Sequence, residues 1–172
     1  MVVAVGSAPI HAPTPEVPVL AVLKSNDALY QIVFLLHILS AIVAFAPAFS
    51  WPFVNLQMRK RGSSVPSDVA GQVAVNDAVV HGPALALAGA FGIIMIALSD
   101  GIYEFSQLWI SLAFLVWFAM LGVLYGLLVP AGRQAAVDGP DSPSAKRVSM
   151  AGGIMHLLIV VMLVVMIWKP GF

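Results

Sequence analysis

Cysteine is absent from the 172 residues. That excludes disulfides, thiolate metal sites, iron–sulfur ligation and covalent haem attachment through C-x-x-C-H. Any metal chemistry would have to use histidine, methionine, carboxylate or hydroxyl groups. Charge is scarce as well: 9% of residues are charged, against about 25% in an ordinary soluble domain. Eight basic residues balance eight acidic ones, so there is no polybasic surface for nucleic acid and no acidic field for cationic substrates. A P-loop, a G-x-S-x-G and an H-E-x-x-H are all missing, which leaves nucleotide and hydrolytic chemistry without support.

What is abundant is apolar surface, at 60% of residues with a mean hydropathy of +0.98. The bilayer is the natural solvent for such a chain. Residues 1–27 carry Pro9, Pro13, Pro15 and Pro18, which suit an extended extracytoplasmic tail. Residues 28–172 then form one domain with four apolar runs, at about 28–51, 78–98, 107–129 and 148–168. Pro47, Pro52 and Pro130 are expected to kink or end the spans that hold them. Short connections make the expected fold an all-α, up-down four-helix membrane bundle. Gly122 and Gly126 form a GxxxG, read first as a packing groove within the bundle, as are Gly89 with Gly92 and Gly152 with Gly153.

Arg59, Lys60 and Arg61 lie between spans one and two, and Arg133, Lys146 and Arg147 between spans three and four. Lys24 and Lys169 are the only other basic residues. Cytoplasmic loops collect Lys and Arg, so the expectation is a cell (inner) membrane protein with both termini on the extracytoplasmic side. The acidic connection holding Asp100 and Glu104 then faces outward.

Three histidines fall in or beside the spans, and a polar ring in hydrocarbon needs a partner. Counted along the helices, His37 lies about 15 Å and His156 about 20 Å from the outer ends of their spans, at Asp27 and Lys169. Similar depth on neighbouring helices suggests two ligands for one b-type haem. Ala41, Ala44 and Ala48 near His37, and Gly152 and Gly153 near His156, leave room for a macrocycle or for close helix packing. The same rings equally suit helix-to-helix hydrogen bonds. His81 lies near the basic interface with Asp77 four residues before it. That pair reads as an interfacial polar pair, or as a further haem ligand with Asp77 behind it, a proton relay or a quinone contact. The methionines of span four offer copper only if they converge.

The segments LLHILSAIVAFAP, DGIYEFSQLWISLAFLVWFAMLGVLYGLLVPAGRQ and HLLIVVMLVVMIWKPG resemble the CopD-like group of four-helix membrane proteins, in its uncharacterised integral-membrane branch. The group includes a copper-resistance protein and a bacterial protoporphyrinogen oxidase with b-type haem. The resemblance therefore implies haem or copper use, and His37 matches the group's span-one histidine. The lysine expected to ligate haem in the oxidase has no counterpart. The expected function is a small redox or cofactor-holding membrane protein. The alternatives are a cofactor-free accessory subunit of a respiratory, photosynthetic or transport complex, or a copper-handling protein.

Overall fold

The computed structural model describes residues 28–171; the expected 1–27 tail and His11 lie outside the described residues. Four helices account for most of them: α1 (Ala28–Lys60), α2 (Ser67–Ala97), α3 (Leu108–Asp138) and α4 (Pro143–Trp168). Each is long and apolar enough to cross a membrane, and no strand occurs among the described residues. The chain is an integral membrane protein built as an all-α four-helix bundle.

The helices outrun the apolar runs at the end that carries the basic loops. At 1.5 Å per residue, α2 and α3 are about 46 Å long, against a hydrocarbon core of about 30 Å. Small residues allow this extension. A Cβ on Gly132 would lie 2.9 Å from the Ala74 Cβ, and one on Gly71 would lie 3.4 Å from the Ala136 Cβ. The start of α2 and the end of α3 thus pack as a close helical pair beyond the apolar layer. α4 also begins early, at Pro143, because Ser142 caps it and accepts from the Ala145 amide at 3.1 Å.

Proline does not end the spans as expected. Pro47 and Pro52 both sit inside α1. Pro83 and Pro130 each follow a single π turn, Asp77–His81 in α2 and Leu124–Leu128 in α3. In these turns the amide of Gly82 reaches back to Asp77 O and that of Val129 to Leu124 O. The wider turn shifts the bonding register by one residue just ahead of a ring that cannot donate, so the helix continues through it.

Each helix packs beside its neighbour in sequence, and α1 also touches α4. The core gathers where α2, α3 and α4 meet, around Leu85, Met120, Met155 and Ile159. In contrast, only 6% of the most apolar stretch of α1 is buried, against 22–28% in the other three helices. Gly89 is a true packing glycine, since a Cβ there would overlap the Trp117 indole. The indole Nε1 donates to Leu85 O at 2.8 Å. Gly92 similarly faces the His37 ring.

The Gly122–Gly126 groove expected inside the bundle is instead on its outside. Both residues are exposed, and nothing among the described residues lies within 4 Å of a Cβ built on either. Gly152 and Gly153 are equally unopposed. The α3 face that enters the core carries Ile110, Ala113, Val116 and Met120, and the helical repeat puts the GxxxG on another face. Accordingly, Gly89→Ala should destabilise the protein by about 1–3 kcal/mol through overpacking. Gly122→Ala should stay within about 0.5 kcal/mol of the native chain. Reversible unfolding in mixed detergent micelles measures both, and equal losses would contradict the assigned faces.

Candidate functional site

The chemistry of the membrane layer begins with missing amides. A proline removes the donor that its helix would have offered to the carbonyl four residues earlier. Pro47 therefore frees Val43 O, and Pro52 frees Ala48 O. Hydrocarbon supplies no water to satisfy them.

Histidines from other helices take these positions. His81 Nδ1, on α2, donates to Val43 O at 2.9 Å. His156 Nε2, on α4, is hydrogen-bonded to Ala48 O. A third imidazole works in the reverse sense: His37 Nδ1, on α1, donates to Ala88 O of α2 at 2.7 Å. A carbonyl oxygen can only accept, so Nδ1 of His37 and of His81 carries hydrogen, whereas a neutral His156 donates from one ring nitrogen at a time. Three imidazoles thus join α1 to α2 twice and to α4 once.

His37 and His156 are not brought face to face. The ring of His156 lies at Ala48, three turns and about 16 Å along α1 from His37. Side chains on a helix lean toward its N-terminus, and α1 and α4 run in opposite directions. That lean is small beside the three-turn separation, so the two residues stand at different heights along the bundle. Both nitrogens of His156 meet carbonyls, Nδ1 meeting Gly152 O at 2.7 Å. His37 and His81, with Nδ1 committed, each retain Nε2. In this arrangement the residues do not present two free ring nitrogens to one iron, so the pair does not fit bis-histidine haem. Among the described residues no group of three or more His, Asp or Glu is placed to hold a metal ion.

The π turns add a second polar layer. With the Gly82 amide on Asp77 O and no amide on Pro83, Ala78 O and Val79 O lose their helical donors. Tyr125 of α3 donates its hydroxyl to Ala78 O at 3.4 Å, and Gly82 provides the space, since a Cβ there would overlap the phenol oxygen. Asp77 is buried in the same turn, one turn ahead of His81. Between this layer and His37, the outer surface of α1 and α2 forms an open groove of about 380 Å³ lined by Ser40, Val43, Val80 and Leu87.

At the other end of the bundle, Lys169 closes α4 in a left-handed conformation. Its ammonium lies 5.0 Å from the Tyr103 ring centroid and 5.3 Å from that of Trp109. Those rings meet edge to face, forming a cation–π clamp at the depth where aromatic residues collect.

Tyr125 and the proline-freed carbonyls were not among the expected functional positions. The signal was available in the spacing: a proline four residues after a carbonyl in one span and an unexplained histidine in another. The pairing itself is testable. His81→Ala should cost about 1 kcal/mol by orphaning Val43 O. The loss should shrink in Pro47→Ala, where a main-chain amide returns. His156→Ala and Pro52→Ala form a matching cycle. Additive losses in detergent unfolding would show that the imidazoles do not replace the missing amides.

Compared with models of protein families, with curated proteins and with solved structures, the chain matches none.

Proposed function

We propose that this chain is a cofactor-free accessory subunit of the cell membrane, built to pack against a larger respiratory, photosynthetic or transport complex. The observation that carries the reading is the use of the span histidines. Each ring is hydrogen-bonded to a backbone carbonyl of a neighbouring helix, which makes them ties between helices rather than a pair of ligands. The outward Gly122–Gly126 face supports the reading, because small residues let a partner helix approach closely.

Gentle-detergent purification tests this directly. The expected preparation is colourless, without a haem α-band in the reduced-minus-oxidised spectrum and without stoichiometric copper, and it carries a partner membrane protein. A second reading, a b-type haem or copper held by His37, has one observation in its favour. With Nδ1 tied to Ala88 O, the imidazole keeps Nε2 for a metal, the arrangement common among ligating histidines. A haem band or bound copper lost in His37→Ala would establish that reading and end the first.

The proposal includes orientation, with both termini extracytoplasmic and the basic loops in the cytoplasm. Six of the eight basic residues in those two connections support it. Because the chain has no cysteine, single replacements serve as probes. Ser144 would be a poor one, being buried and bonded to Asp138. Ser106→Cys and Asp141→Cys are exposed positions. An impermeant maleimide added to intact cells should label the first and spare the second; the opposite pattern would invert the protein.

A further inference from the structure

Pro130 follows the α3 π turn just as Pro83 follows that of α2, so the two turns free equivalent carbonyls. In α2 the Gly82 amide reaches Asp77 O, and Ala78 O receives the Tyr125 hydroxyl instead. In α3 the Val129 amide, which would close on Tyr125 O in a regular helix, reaches Leu124 O. Pro130 has no amide to offer Gly126 O. The side chains that cross between helices in the membrane layer are bonded to the carbonyls of Val43, Ala48, Ala78, Leu85 and Ala88; among the described residues none reaches Tyr125 O or Gly126 O. Counted from Leu108, Tyr125 lies about 26 Å along α3, within a hydrocarbon layer of about 30 Å. Lipid there supplies no donor.

The residues that bear these carbonyls face out of the bundle. Tyr125, Gly126 and Leu127 are exposed, whereas Leu124 and Val129 at the two ends of the turn are buried. Gly126 and Gly122, one turn before it, have nothing among the described residues within 4 Å of a built Cβ, so another helix can approach until the backbones touch. A second copy of the chain does not complete the site. Pairing this face with itself sets the exposed Ala119, Gly122 and Gly126 against their own counterparts. None of these has a side-chain donor, and the Tyr125 hydroxyl is committed to Ala78 O.

Resting on the accessory-subunit reading, we infer that the Tyr125–Gly126 backbone is a docking site for a transmembrane helix of a partner subunit, one with a small residue at the contact and a side-chain N–H or O–H at this depth. The bonding is of the kind this chain uses within itself, with a proline-freed carbonyl on one helix and a side-chain donor on another. Here the donor comes from outside the bundle.

The full chain in phosphatidylcholine vesicles, labelled with a fluorescent donor at Ser106→Cys, tests the site against two synthetic transmembrane peptides that carry an energy-transfer acceptor. Both are leucine–alanine helices with a Gly-x-x-x-Gly face; one has a single asparagine beside the glycines and the other a leucine in its place. The asparagine peptide should bind about threefold to tenfold more tightly, the range for one hydrogen bond between helices in lipid. Pro130→Ala returns an amide to the turn and should abolish that preference while leaving binding of the leucine peptide unchanged. Gly126→Leu, which meets no other described residue, should weaken both peptides and serves if Pro130→Ala does not fold. Equal binding of the two peptides by the native chain, a preference that persists in Pro130→Ala, or binding unaffected by Gly126→Leu would overturn the proposal. So would energy transfer between copies of the chain that excludes both peptides. Protein that carries haem or copper and still selects the asparagine peptide would remove the accessory-subunit reading and not the acceptor site.

Discussion

A backbone carbonyl inside a bilayer must find a donor within the protein, and much of this structure is arranged around carbonyls that proline has left without one. Pro47 and Pro52 bend the bonding of α1 at the depths where α2 and α4 each supply an imidazole. Pro83 leaves a carbonyl that the Tyr125 phenol meets from α3. The prolines do not weaken the bundle at random: they convert donors normally spent within one helix into bonds between helices. Van der Waals packing is the other main source of cohesion in lipid, so these directed bonds also fix which helix lies beside which, and at what height.

The number, order and approximate positions of the helices along the chain were legible in the sequence, because a long apolar run has few alternatives to spanning. The ends were not. Pro130 reads as a stop from its chemistry alone, yet α3 continues through a π turn to Asp138, held by Gly71, Ala74, Gly132 and Ala136 from two helices. Such pairings depend on which faces meet, which a run of hydropathy does not encode. The same is true of Gly122 and Gly126, whose spacing is that of a packing motif but whose face points away from the bundle.

The histidines illustrate the limit most clearly. Counting residues placed His37 and His156 at similar depth, and their Cα positions are the quantity such a count estimates. A count gives position within one helix but not the stagger between two, and the His156 ring stands about three turns along α1 from His37. The alternative expected for these rings, hydrogen bonding between helices, needs only a carbonyl within reach, and the prolines provide two. Asp77 and His81 lie four residues apart on one helix, yet among the described residues no hydrogen bond joins them, and His81 Nδ1 reaches Val43 O of α1 instead.

The slight burial of α1 has a consequence for how the molecule is assembled. The other three helices share the apolar core, whereas α1 contributes only Val33 to the buried set and is tied on by imidazole bonds. Its hydrogen bonding is therefore complete only when both α2 and α4 are in the membrane. Until His156 arrives, the proline-freed carbonyl of Ala48 stays open to whatever other donor the membrane offers.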